Sequence, residues 1–139
     1  MDYKLELVMI PVSDVDRAKR FYSEQAGFQL DVDTPVGENM RVIQLTPPGS
    51  SCSIVFGNGL TDVAPGSLKG THLVVSDIEQ AREQLRQRGV DVSEVRHMKD
   101  GQWNAGADPQ RQDYNSFADF KDPDGNVWVL QERGRASGN

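Results

Sequence analysis

The chain has 139 residues, 37% of them hydrophobic and 26% charged, which predicts one ordinary globular domain. A net charge of −6, a pI near 4.8 and the lack of any basic run exclude a nucleic-acid backbone as partner, and apolar runs as short as 73–75 and 127–130 exclude a helical membrane span. The lone Cys52 excludes an intrachain disulfide, and the charged start MDYKLELVMI, without a signal-like apolar core, predicts a cytoplasmic location.

Residues 4–10 alternate, Leu5, Leu7 and Met9 against Glu6, Val8 and Ile10, and predict a strand ended by Pro11. A helix follows over 15–26, burying Val15, Ala18 and either Phe21 or Tyr22. Three strands come next, at 28–33, 41–46 and 51–56, separated by turns around Pro35 and Gly37 and at Pro47-Pro48-Gly49. Residues 58–69, rich in Gly, Asn and Pro, form the predicted linker.

The stretch GTHLVVSDIEQAREQLRQRG then predicts a strand over 70–75 and a helix over 77–88. Ser76 or Asp77 supplies the N-cap oxygen, and Ile78, Ala81 and Leu85 recur at helical spacing. Glu79 in the first turn, Arg86 and Arg88 in the last, and Gly89 just beyond match the helix dipole and its left-handed stop. Strands are predicted at 90–95, 114–120 and 126–132. Between the first two lies a polar loop, 98–113, whose length and single Trp103 mark it as functional. Asp122-Pro123-Asp124-Gly125 predicts a type I turn rather than a calcium loop, which needs further spaced oxygen donors. The tail 134–139 is expected to be disordered.

The halves repeat one another. Val12-Ser13-Asp14 answers Val75-Ser76-Asp77 at an offset of 63 positions, Asp16 answers Glu79, and Tyr22 answers Leu85. Repeats 4–57 and 70–133, each marginal alone, are expected to share a core or a continuous sheet within one domain, 1–139.

Two βαβββ repeats, the opening VSDVDRAKRFY and the ending FKDPDGNVWVLQE together resemble the vicinal oxygen chelate superfamily, which includes glyoxalase I, bleomycin-resistance proteins and extradiol dioxygenases. The resemblance implies an α+β fold in which the repeats pair into a curved, half-open mixed β-sheet barrel with helices outside and a ligand cavity inside, commonly as a homodimer. It further implies metal ligands on the first and last strands of each repeat. The matching positions here are Leu7, Gly70 and Val129, with Ser53 or Val55 in the first repeat. A divalent site needs about three His, Glu or Asp ligands, so neither a metal nor another cofactor is expected. A surrogate set from His72, His97, Glu6 and Glu132 is disfavoured by the alternation, which places Glu6 and Glu132 opposite Leu7 and Val129.

The inward face read from the alternation is Leu5, Leu7 and Met9, then His72 and Val74, then Val127, Val129 and Gln131. With Trp103 and Tyr114 as aromatic walls, the candidate ligand-binding residues are Leu7, Met9, His72, Trp103, Tyr114, Val129 and Gln131. His72 is either a packed strand residue or a ligand contact and candidate catalytic base, and His97 is expected at the surface. The expected function is metal-independent binding of an apolar or aromatic small molecule. The alternatives are a lyase, isomerase or dioxygenase-type enzyme using His72 or an atypical metal site, and an interaction module with a vestigial cavity.

Overall fold

The computed structural model describes residues 1–135. The chain divides into two compact units: Met1–Leu68 with Asp122–Asn126, and Lys69–Lys121 with the residues from Val127 onward.

In the first unit, β1 (Leu7–Met9) leads to helix α1 (Val15–Arg20) and then to β2 (Gln29–Val36), β3 (Met40–Thr46) and β4 (Ser53–Asn58). The sheet order is β1-β4-β3-β2, with β1 parallel to β4 and the other neighbours antiparallel. Asp14 caps α1, its Oδ1 accepting the Arg17 N–H at 3.0 Å. Beyond Arg20 the helix widens into a π-turn over Phe21–Gln25, where the Ala26 N–H reaches the Phe21 carbonyl at 2.9 Å. A wider turn rotates successive residues through a smaller angle. Phe21 and Tyr22, which the sequence offered as alternatives, are both buried. The Tyr22 ring packs against Phe28 and Phe56, with centroids 5.8 and 5.7 Å away.

The Tyr22 hydroxyl donates to Asp122 Oδ2 at 2.7 Å. That buried carboxylate also accepts from Asn126 Nδ2 at 2.7 Å and from the backbone N–H groups of Asp124 and Asn126 at 3.0 and 2.9 Å. The Gly125 N–H bonds the Asp122 carbonyl at 3.0 Å, closing the four-residue turn over 122–125. Asn126 carries the network onward by donating to the Pro11 carbonyl (2.9 Å) and accepting from the Leu68 N–H (3.0 Å). Asp124 takes the Ser13 N–H (3.0 Å), its hydroxyl and Arg17. Segment 58–69 is likewise bonded down, and at Gly66 (φ 81°) a Cβ would stand 2.1 Å from the Asp124 carbonyl oxygen, so only glycine fits.

In the second unit, β5 (Thr71–Val75) and α2 (Ile78–Gln87) precede β6 (Arg96–Lys99), β7 (Gln102–Ala105), β8 (Ser116–Lys121) and β9 (Val127–Glu132). The order is β5-β9-β8-β6-β7, with β5 parallel to β9. Asp77 is the N-cap of α2, accepting the Gln80 N–H at 3.1 Å, and Ile78 and Leu85 are buried. Phe120 and Trp128 stack in this core with centroids 6.1 Å apart.

Each unit carries its own open mixed sheet, in keeping with the expected α+β fold, and among the described residues no strand pairing joins the two sheets. Some local expectations change. Residues 90–95 are not a strand: Val90, Val92 and Val95 are buried as core plugs, with one bridge from Val92 to Phe120. The strand register begins at Arg96, and the expected loop 98–113 folds back as the β6–β7 hairpin. The following strand starts at Ser116, because Tyr114 has φ 57°. In the tail, the Arg135 N–H bonds the Arg111 carbonyl at 2.9 Å, while 136–139 lie outside the described residues. Among the described residues no helix is long and apolar enough to cross a membrane.

Tyr22 and Ile78 are both fully buried. Tyr22→Ala or Ile78→Ala should each cost about 2–5 kcal/mol, read as a lowered urea midpoint. Tyr22→Phe keeps the rings but removes a donor from buried Asp122, so it should cost about 1–3 kcal/mol. A loss under ~0.5 kcal/mol would contradict the packing.

Asp33 on β2 pairs with Lys19 at 2.7 Å and with Arg41 through two bonds of 3.0 Å. The Arg41 and then the Lys19 hydrogen bonds hold its carboxyl well below the usual value of 3.8. A depressed folded-state pKa contributes stability that is present above the unfolded value and is lost as pH falls toward the folded one. Asp33→Asn should therefore lower stability at neutral pH and flatten the decline below pH 3.8. Parallel acid limbs for the two proteins in pH-resolved urea titrations would remove the pair from the acid response.

Candidate functional site

The alternation in β9 separates two faces. Trp128 and Leu130 are buried toward the helix, whereas Val127, Val129 and Gln131 lie on the opposite, half-open face. Register extends this open face across the second sheet. His72 and Val74 of β5 pair with Val129 and Gln131, Asp119 and Phe117 of β8 pair with the same two residues, and Arg96 of β6 pairs with Phe117. Trp103 of β7 pairs with Met98 at the far edge.

Trp103, 52% exposed, is held from two sides. Its ring meets Phe117 edge-on with centroids 5.3 Å apart, and the Arg96 guanidinium lies 4.8 Å from its centroid. Arg96 is in turn oriented by Asp119 at 3.1 Å. At the other end, Gln131 Nε2 donates to the Tyr114 carbonyl at 3.0 Å, so Gln131 and Tyr114 are brought together. His72 is exposed, and its Nδ1 sits 2.6 Å from the Gly70 carbonyl. A carbonyl only accepts, so Nδ1 carries the proton and Nε2 of the neutral ring keeps its lone pair. The face thus combines valines and aromatics with a few oriented polar groups.

Leu7 and Met9 lie on the open face of the first unit's sheet, 38% and 37% exposed, in register with Ser53 and Val55. Their neighbours Val8 and Ile10 turn the other way, Ile10 into the core. Every strand residue named from the sequence as a ligand contact therefore sits on the open face of its own sheet. Tyr114 lies outside the strands, in the left-handed conformation before β8.

The positions that hold a metal in the resemblance do not suit one. Leu7, Gly70 and Val129 offer hydrocarbon or no side chain, and the Ser53 hydroxyl is shared with Thr46 Oγ1 at 2.7 Å. Among the described residues no group of three or more His, Cys, Asp or Glu side chains converges. Glu132 is fully buried on the helix side, where its Oε1 accepts the Ile78 N–H at 3.1 Å and Arg111 at 2.6 Å. Arg111 also reaches Glu79, fastening the loop before β8 to the start of α2.

His97, expected at the surface, is buried, with its Nδ1 donating to the Gly106 carbonyl at 2.8 Å. Asp108 beside it is buried as well. Its hydrogen bond from Asn115, then that from the Gln110 N–H, hold its carboxyl below the usual carboxylate range. Arg96 was not legible as a site residue because the expected strand 90–95 stopped short of it, and Phe117 and Asp119 lay within an expected strand whose open face the sequence did not decide. Asp108 had a signal: Asp108-Pro109 repeats Asp122-Pro123, and in both pairs the carboxylate accepts the N–H two residues on.

Comparison with known proteins agrees with this architecture. Residues 4–130 match the Glyoxalase/Bleomycin resistance protein/Dioxygenase superfamily. The structure is similar to that of TnmS3, an antibiotic binding protein from Streptomyces sp. CB03234, with a TM-score of 0.74 and 33% identity over 96% of this chain and 98% of that one. It is also similar to a glyoxalase/bleomycin resistance protein from the same Streptomyces strain, with a TM-score of 0.70 and 34% identity over 92% of this chain and 99% of the other. YetH of Bacillus subtilis (strain 168) is 25% identical over 126 residues, 90% of this chain and 94% of its own length. With a parallel first and last strand and an Asp-capped helix in each repeat, and the Asp-Pro-Asp-Gly turn in place, this chain belongs to the glyoxalase/bleomycin resistance protein/dioxygenase superfamily.

Proposed function

We propose that this chain is a metal-independent small-molecule-binding protein that takes an apolar or aromatic ligand on the second unit's open sheet face, which bears Trp103, His72, Val129 and Gln131 with Tyr114 at the rim; Leu7 and Met9 are the corresponding candidate contacts on the first unit's own open face. The observation that carries the reading is Trp103 itself. A half-exposed indole, fixed edge-on by Phe117 and flanked by the Arg96 guanidinium, is a preorganised stacking surface. The 33% likeness to an antibiotic binding protein supports a planar natural product as ligand class. The family resemblance supports a homodimer.

Trp103 and Trp128 are the two tryptophans, and Trp128 is buried, so fluorescence quenching reports chiefly on Trp103. Titration with a panel of planar aromatic antibiotics should give saturable quenching, and Trp103→Ala should weaken binding by about tenfold or more, the scale of one good aromatic contact. Affinity unchanged in Trp103→Ala, by calorimetry, would remove the platform.

Metal independence has its own measurement. Elemental analysis of the purified protein, with thermal shift against divalent cations, should show neither stoichiometric metal nor stabilisation. About one metal per chain with a clear shift would overturn this part of the reading.

An enzymatic reading has one observation in its favour. The His72 Nδ1–H bond to Gly70 leaves Nε2 as an acceptor on the exposed side of β5, a fit arrangement for a general base. Should turnover of a bound ligand be found, His72→Ala ought to abolish it without unfolding the protein; equal rates would exclude His72 as base.

A further inference from the structure

Apart from the open face, the second unit contains a cavity of about 590 Å³ formed by the β6–β7 hairpin and the loop leading to β8. His97 and Asn104 are register partners across the hairpin, and they alternate with Arg96 and Trp103. They therefore face away from the Trp103 platform. The lining is chiefly polar, including His97, Lys99, Asp100, Asn104, Asp108 and Gln112.

The hydrogen bonds already made decide what this cavity has left to offer. His97 is 6% exposed, and with Nδ1–H committed to Gly106, Nε2 of its neutral ring is an acceptor. Asp108 is 5% exposed and its two oxygens are unequally used. Oδ2 accepts from the Gln112 N–H at 3.2 Å and from Asn115 Nδ2 at 3.0 Å, whereas Oδ1 accepts only the Gln110 N–H at 2.9 Å. A carboxylate oxygen takes about two bonds, so Oδ1 retains capacity. Asn104 spends an Nδ2–H on the Gln102 carbonyl and keeps its carbonyl oxygen. Asn115 points both of its side-chain N–H groups at protein acceptors, and Gln112 points one. What remains combines the acceptors of His97, Asp108 and Asn104 with the amide N–H groups of Gln110 and the second N–H of Asn104 and of Gln112, and its charge is set by two carboxylates, Asp100 and Asp108, against the single ammonium of Lys99.

A cavity with these acceptors and excess negative charge selects a ligand that carries donors and positive charge. Its volume suits a molecule of monosaccharide or disaccharide size, and a lining this polar gives little to an apolar ligand. We propose that the cavity is a second binding site, specific for a small aminated polyol whose ammonium and hydroxyl groups donate to Asp108, His97 and Asn104. Its donor-binding groups His97 and Asn104 lie on the side of the β6–β7 hairpin opposite Trp103, while Met98 and Ala105, which share the face of Trp103, complete the lining.

The test is amide-resolved NMR titration of the full chain with glucamine, an open-chain aminated polyol, and with sorbitol as its uncharged counterpart. Glucamine should give saturable shifts confined to residues 97–115, and sorbitol should bind about tenfold or more weakly, as expected from loss of one charge-assisted bond. Asn104→Trp fills the cavity from an exposed strand position without touching any bond to Asp108, and should abolish the shifts with the spectrum otherwise intact. Asp108→Asn should reduce glucamine binding to the sorbitol level if the variant folds. No saturable shift with glucamine, or shifts that persist in Asn104→Trp, would overturn the site. Sorbitol binding as tightly as glucamine would overturn the role given to the carboxylates.

Discussion

The buried carboxylate of Asp122 is the constraint on which the first unit depends. A charged group at 5% exposure is tolerable only when hydrogen bonds replace its hydration, and four donors do so: the Tyr22 hydroxyl, the Asn126 amide and two backbone N–H groups. Each donor belongs to something larger. Tyr22 anchors the π-turn after α1 and the aromatic core around Phe28 and Phe56, while Asn126 reaches Pro11 after β1 and Leu68 at the end of the first repeat. The Asp-Pro-Asp-Gly sequence is thus a turn by chemistry and a fastening by position.

In both units the helix side of the sheet is spent on stability, which leaves the other side available for binding. Ile43, Leu45, Ile54 and Phe56 in the first sheet, and Trp128 and Leu130 in the second, fill the helix side. Leu7, Met9, His72, Val74, Val129 and Gln131 are left half-open on the other. Since side-chain direction alternates along a strand, burying one set fixes the exposure of its neighbours. The replacement of metal donors by Leu7, Gly70 and Val129 changes what such a face can recognise without disturbing the packing beneath it.

Most of this fold was legible in the sequence, and the reason is local. The capping aspartates Asp14 and Asp77, the helical spacing of Ile78 and Leu85, and the turn at 122–125 are short-range chemistry, and all stand where expected. The alternation in β9 was readable too, because Trp128 and Leu130 on one side and Val129 and Gln131 on the other differ in size and polarity. The failures lie where long-range burial overrides local pattern. Val90, Val92 and Val95 look like a strand but fill the core singly, and His97 looks like a surface residue but is buried with the Gly106 carbonyl as its partner. Phe117 and Phe120 place an aromatic on each face of β8, so composition alone could not decide which belonged to the open side.

The parallel pairing of first and last strands within each repeat also orders the folding of the chain in time. β5 has one neighbour in its sheet, β9, so from the synthesis of Thr71 until Glu132 is made its backbone donors and acceptors have no ladder to join. The first unit waits almost as long, because the Tyr22 hydroxyl finds its acceptor 100 positions further along the chain. Such closures sacrifice loop entropy before any contact repays it, which slows folding and extends the life of open intermediates. A nascent chain halted before residue 122 would carry every residue of α1 and β1 to β4 and still lack the acceptor that completes their core.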